Sequence, residues 1–228
     1  MQLVLVKIKL EDPLQAGAGL PLRNRVYSSL SHLPATAARG LIGSLYFKAR
    51  ACEQAKCTPE CSRQEDCTYY KLFRDYHPDC RVYNTAATPL CRRCHTPSIP
   101  TPSYILKCKV CEGVTSAYEL MLEDEPWLKL HICKAAMEAY ERGEVGCGVS
   151  TLEPAGGFIC PECGSIVEEP RVYRRTMTAI SPDSRTAEER QLFSKDYIER
   201  GGELGMYVTL PDEADTSLLS GRARVGGG

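Results

Sequence analysis

Residues 91–111 read CRRCHTPSIPTPSYILKCKVC. Two Cys-x-x-Cys pairs, Cys91/Cys94 and Cys108/Cys111, frame a proline-containing segment with no sustained apolar period. How the middle of the chain is held together therefore depends on what these pairs do. A disulfide framework, a dithiol redox site and a metal clamp are the three options. The chain carries 13 cysteines, an odd number. Its first residues, MQLVLVKIKLEDP, place Lys7 and Lys9 inside an alternating apolar run, which is the pattern of a strand and not of a secretory leader. An odd count without an export signal fits disulfides poorly and points to the cytoplasm. A redox pair needs a Cys-x-x-Cys at a helix start in a βαβ setting, and no pair has that context. A metal clamp is the reading left. Each Cys-x-x-Cys turn presents two thiolates, and two turns complete a tetrahedron suited to Zn2+.

A third pair, Cys160/Cys163, follows in CPECG, and a looser group comprises Cys52, Cys57, Cys61 and Cys67. One to three zinc ions are expected, held by Cys91, Cys94, Cys108, Cys111, Cys160 and Cys163, with Cys57, Cys61 and Cys67 serving a further site. Proximity favours Cys91, Cys94, Cys108 and Cys111 as one ribbon. The alternative joins Cys108/Cys111 to Cys160/Cys163 and Cys91/Cys94 to Cys57 and Cys61, or Cys67. His95 and His131 can substitute for a cysteine, and the Cys52–Cys67 group also suits an iron–sulfur cluster. A set dominated by cysteine is closed and structural; a catalytic zinc keeps an open position. The metal then supplies folding energy that the segment's sparse apolar residues cannot.

Outward from this stretch the chain regains period. Val4, Val6, Ile8 and Leu10 alternate on one face of a strand over 2–10. Thr36 is the expected N-cap of a helix running to about Cys52, with Ile42, Leu45, Tyr46 and Ala49 as its buried stripe. Residues 52–111 read as irregular, followed by helices over about 115–125 and 128–142. Strands are expected at 171–181 and 204–210, the latter with Leu204, Met206, Val208 and Leu210 facing one way. The expected class is α+β. Residues 1–51 and 171–228 form its core, and 52–170 form a zinc-binding, partly helical insertion. No apolar run is long enough to span a membrane. The ending SGRARVGGG is either a natural end or the lead into a missing C-terminal half.

Charge is uneven. Residues 1–110 hold 16 Lys/Arg and 8 Asp/Glu, a net of +8; residues 111–228 hold the remaining 12 and 21, a net of −9. A basic half points to a polyanionic partner. In LPATAARGLIGSLYFKAR (33–50), Arg39, Gly43 and Arg50 fall together beside the apolar stripe. The two arginines are about three turns, roughly 16 Å, apart along the axis. Gly40, Gly43 and Ser44 keep the adjoining face small, which suits either close approach of a phosphate backbone or helix–helix packing.

These residues also carry a resemblance. LPATAARGLIGSL resembles a segment of the RAMP superfamily of CRISPR effector proteins, with Pro34, Thr36, Arg39, Gly40 and Leu41 matching. TAISPDSRTAEERQLF…G resembles a second superfamily block through Thr178, Ala179, Ile180, Thr186, Ala187, Glu188, Gln191, Leu192, Phe193 and Gly202. Cys108, Lys109, His131, Cys160, Cys163 and Gly164 match the CK…H…CxxCG pattern often found between the two. The likeness is greatest to the Cas-five class, similar to the type III-D RAMP protein, and the type VII Cas-five subunit is compatible. Arg185 and Arg190 replace small residues of the usual pattern. The resemblance implies a ferredoxin-like, RRM-like core and a non-catalytic subunit that binds guide RNA (crRNA) and caps its 5′ repeat handle. The implied partners are the other effector subunits, especially Cas-seven backbone subunits, and target RNA indirectly. Two alternatives are a Cas-seven-class backbone subunit and a RAMP endoribonuclease that processes precursor guide RNA. The implied RNA contacts are Arg23, Arg25, Arg39, Gly40, Gly43, Ser44, Lys48, Arg50, Arg185, Gln191, Phe193, Arg222 and Arg224. Tyr173 and Phe193 are the aromatics available to stack on bases.

Overall fold

The alternation near the N-terminus does build a strand, β1 (Gln2–Lys9). Val6 and Leu10 are buried, with Val4 and Ile8 packed against the same core. In the computed structural model, residues 1–17, 26–50, 72–73, 82–109, 113–118, 152–180, 187–212 and 214–225 are described. They are mostly strands with one α-helix, an α+β chain. Among them no helix is long and apolar enough to cross a membrane. The chain divides into two units, Met1–Leu90 with Pro170–Gly228, and Cys91–Glu169.

In the first unit β1 pairs antiparallel with β13 (Glu203–Leu210), Val6 opposite Met206. Leu204, Met206, Val208 and Leu210 are all fully buried, as their period-two spacing requires. Burying each stabilises the unit by about 1.5–3 kcal/mol. Helix α1 (Ala35–Arg50) contributes Ala38, Leu41, Ile42 and Tyr46 to the same core. The side chain of Ala49, expected in that stripe, lies outside the described residues. The helix begins one residue before the expected cap. Its first turn is closed by the Pro34 carbonyl accepting from the Ala38 N–H, so Thr36 sits inside the helix.

The region expected to be irregular contributes two short strands to this sheet. β3 (Tyr83–Asn84) and β4 (Thr88–Pro89) both pair antiparallel with β13. The strand expected over 171–181 is β11 (Val172–Ile180), and it pairs with a longer strand that sequence reading missed, β12 (Ala187–Ile198). β2 (Val26–Tyr27) adds to β12 in parallel. The segment after β13 alternates: Ala223 and Val225 pack on the core while Arg222 and Arg224 are exposed.

The second unit holds two small sheets. In one, β9 (Phe158–Ile159) lies between β5 (Ile99–Pro100) and β10 (Ile166–Val167). In the other, β6 (Ile105–Cys108) lies between β7 (Val114–Ser116) and β8 (Leu152–Pro154). β7 occupies the start of the helix expected over 115–125, and Thr115, buried and β-branched, suits a strand better than a helix. The remainder of that segment beyond Tyr118, and the helix expected over 128–142, lie outside the described residues.

Candidate metal centre

The two sequences CRRCHT (91–96) and CPECGS (160–165) fold into the same turn. In each, the N–H of the first cysteine donates to the carbonyl of the sixth residue, Cys91 to Thr96 and Cys160 to Ser165, both at 2.9 Å. In each, the N–H of the fifth residue donates back to the carbonyl of the first, His95 to Cys91 at 2.8 Å and Gly164 to Cys160 at 2.9 Å. The fifth residue is left-handed in both, with φ of 57° at His95 and 67° at Gly164. That geometry turns the chain back sharply and leaves both thiols of each pair on one side. Glycine adopts it freely; His95 is the only described non-glycine residue with positive φ.

The sheet then brings the turns together. The Cys160–Ser165 turn closes the β9–β10 hairpin, and the Cys91–Thr96 turn leads into β5 beside β9. Cys91, Cys94, Cys160 and Cys163 put their four sulfurs within 4.8 Å of one another. Cys91 and Cys163, 72 residues apart in sequence, have Sγ atoms 3.8 Å apart. Four thiolates around one ion at about 2.3 Å stand about 3.8 Å from each other. The cluster thus matches a tetrahedral four-thiolate site, needing at most a small contraction at its wider edges. The first cysteine of each turn is buried and the second half-buried, with Phe158 and Val167 completing the small core.

This arrangement corrects both expected pairings. Cys108 belongs to the other sheet, where it pairs with Leu152, and is not among the four. Its N–H donates to the Gly113 carbonyl at 2.9 Å, closing a hairpin at β6–β7; Cys111, within that hairpin, lies outside the described residues. Cys57, Cys61 and Cys67, and His131, also lie outside them. His95 is not in the cluster either; it serves the turn through its backbone.

The electrostatics favour a cation. The Ser165 hydroxyl, 3.4 Å from the Cys163 sulfur, and the Ser165 N–H bring the Cys163 thiol down to about 6. At Cys160 burial pushes the thiol up, but the Cys163 N–H, the Thr96 hydroxyl at 3.6 Å and the Glu162 N–H outweigh it and hold the group below its ordinary range. Cys94 is pushed up to about 12, first by its pairing with the Cys163 sulfur and then by burial. Negative charge therefore gathers on Cys160 and Cys163 and resists spreading to Cys94. A bound cation removes that resistance. The four thiolates form a closed donor set, so the site can hold a metal ion as a cross-link and offers no ligand position for substrate.

No protein-family model matches the chain, and no curated protein matches it. Among solved structures, a chain of the type III-B Cmr-beta complex in its apo state is similar over 91% of this chain and 83% of its own length, at 11% identity and a TM-score of 0.43. A chain from that complex bound to cognate target RNA is similar over 92% and 84%, at 12% identity and a TM-score of 0.43. A third, from the complex bound to cognate target RNA and AMPPnP in state 1, is similar over 93% of this chain and 55% of its own length, at 13% identity and a TM-score of 0.36.

The residues expected to touch RNA are scattered over the first unit. Arg39 turns its guanidinium to the backbone, donating to the carbonyls of Val82 and Phe73. Gly43 is buried and the Ser44 hydroxyl donates to the Leu41 carbonyl at 2.8 Å, so this part of α1 is packed and satisfied within the unit. Gly40 is exposed, with open space where a Cβ would stand. Lys48 and Arg50 lie in α1 and Gln191 in β12, but their side chains are outside the described residues, as are Arg23, Arg25 and Arg185. Phe193 is half-buried on β12 opposite Met177. Arg222 is exposed and lies 3.3 Å from Glu11, and Arg224 is exposed.

Proposed function

We propose that the chain is a non-catalytic, guide-RNA-binding subunit of a CRISPR–Cas ribonucleoprotein, of the Cas-five class, that caps the 5′ repeat handle. A zinc ion on Cys91, Cys94, Cys160 and Cys163 acts in it as a structural cross-link. The observation that carries the reading is that both blocks resembling the RAMP superfamily fall in the first unit. Pro34–Leu45 leads into and builds α1, and residues 178–193 span the end of β11 and the start of β12. They are well separated in sequence, and the resemblance requires them in one core. The basic excess of residues 1–110 and the exposed arginines near the C-terminal end supply charge for a phosphate backbone.

The all-cysteine donor set supports a structural role for the metal, since thiolates select zinc and leave no open position. The test is footprinting of guide RNA in the assembled complex. Protection of the 5′ handle with one copy of the chain per guide is expected. Regular protection along the spacer with a bare handle would assign the chain to the backbone class. Cleavage of precursor guide RNA by the purified chain would assign it to the endoribonucleases.

A further inference from the structure

The β11–β12 ribbon has two unlike faces. On one, Arg174 and Asp196 are cross-strand partners joined at 2.7 and 3.1 Å, and the hydroxyls of Thr176 and Ser194 meet at 3.1 Å. That face satisfies its own polar groups. On the other, the register stacks three cross-strand pairs: Tyr173 with Tyr197, Arg175 with Lys195, and Met177 with Phe193. The tyrosine rings lie 5.8 Å apart at 26°, the Tyr197 hydroxyl reaches the Met177 sulfur at 3.7 Å, and the Lys195 ammonium stands 5.7 Å from the Phe193 ring centre. These contacts put all six side chains on one surface.

Two cations directly opposite each other destabilise a strand pair. None of the six residues is acidic, and the nearest carboxylate in the register, Asp196, is committed to Arg174 on the far face. Burial does not offset the conflict. Described side chains of β11 are exposed at every position but Met177. Such a surface is stabilised by an occupant carrying negative charge at the central pair and flat, apolar faces on either side of it. A single-stranded polynucleotide has both. Its phosphates suit Arg175 and Lys195, and its bases stack on tyrosine and phenylalanine without regard to sequence. An acidic protein segment supplies the charge but not the flat faces.

We propose that this face of the ribbon, Tyr173, Arg175, Met177, Phe193, Lys195 and Tyr197, is a stacking platform for single-stranded RNA. The inference rests on the RNA-binding reading above and assigns that binding to a surface. The test uses the full chain and a short fluorescein-labelled oligouridine, with affinity read by anisotropy across a salt series. Tyr173→Ala should weaken binding roughly 5- to 150-fold, the range for loss of one stacked base, while Tyr173→Phe keeps the ring and should bind like wild type. Arg175→Ala should weaken binding and flatten the salt slope by about 0.7, one phosphate contact on a single strand. Thr176→Val, on the opposite face, should leave affinity unchanged and guards against a folding effect. Wild-type affinity in both Tyr173→Ala and Arg175→Ala, with RNA still bound, would overturn the platform and leave the RNA-binding reading standing. No binding of RNA by the wild-type chain would overturn both. Displacement of the RNA by polyglutamate at comparable affinity, insensitive to Tyr173→Ala, would assign the face to an acidic protein segment and overturn the proposal.

Discussion

Chelating the metal should unfold the Cys91–Glu169 unit and leave the other unit folded. The cluster around the four cysteines contains only Phe158 and Val167 besides the sulfur residues. Burying those two side chains stabilises by roughly 3–6 kcal/mol together. Fixing the backbone of the two Cys-x-x-Cys turns costs about 1–2 kcal/mol per residue, or roughly 8–16 kcal/mol. Without metal, the balance at this site is unfavourable. A structural zinc contributes about 10–16 kcal/mol at neutral pH, which reverses the sign.

The first unit has no such dependence. Its core runs through β1, α1 and β13 and is built from large buried side chains such as Ile42, Tyr46, Ile198 and Leu204. Hydrogen exchange read by mass spectrometry, before and after chelator treatment with metal loss checked by elemental analysis, separates the two units. The expected result is loss of protection over 91–100 and 158–169, with β1, α1 and β13 unchanged. Cys160→Ser should reproduce it, because the serine hydroxyl is a poor ligand at the most buried position of the cluster. Retained protection of 158–169 in protein proven free of metal would refute the reasoning, since the apolar residues would then suffice.

Proton release should track the uneven thiol acidities. Between about pH 6 and neutrality Cys163 is already a thiolate, whereas Cys94, held up to about 12, gives up its proton only to the metal. Zinc titrations in buffers of different ionisation enthalpy should therefore show more protons released per metal below pH 6 than at pH 7.5, and affinity that falls more steeply there; a constant release would contradict it. Arg39→Ala should destabilise the first unit by about 1–3 kcal/mol, because the carbonyls of Val82 and Phe73 lose a charged donor. Arg39→Lys should recover only part of that in denaturant melts, since one ammonium cannot reproduce the two-pronged geometry, and equal stability of Arg39→Ala and wild type would show that the contact is idle.

The parts of this fold legible in sequence are those set by local period. Val4, Val6, Ile8 and Leu10, Leu204 to Leu210, and Ile42, Leu45 and Tyr46 all read correctly, because a face buried against a core must repeat every two or about 3.6 residues. Short strands such as β3, β4 and β7 carry too few residues for a period to show, and β12 hides its alternation under charges that stay exposed or pair across the ribbon. The metal cluster was legible in its ligand type and not in its pairing. Proximity favours Cys108 with Cys91, yet strand pairing sends Cys108 to a different sheet and carries Cys160 and Cys163 across to Cys91 and Cys94. One local signal does separate them. CRRCHT and CPECGS both place a hydroxyl residue sixth, where Thr96 contacts the Cys160 sulfur and Ser165 the Cys163 sulfur; CKVCEG places glycine there.

The same limit governs the RNA-facing residues. A sequence shows that Tyr173 and Arg175 share a strand face, and that Phe193, Lys195 and Tyr197 share another. Only the register of β11 on β12 shows that these are one face, with Arg175 set against Lys195. One residue of slip would put Arg175 opposite Asp196 or Ser194 and separate Arg174 from its carboxylate, and the ladder would lose its unpaired central charge. The Arg174–Asp196 contact lowers the Asp196 carboxyl below its usual range, first through its hydrogen bond from Arg174 and also through charge attraction. It therefore favours this register at pH values above the ordinary aspartate range and stops doing so as pH falls through the lowered value. The ion pair on one face of the ribbon thus helps fix the register that sets two cations together on the other.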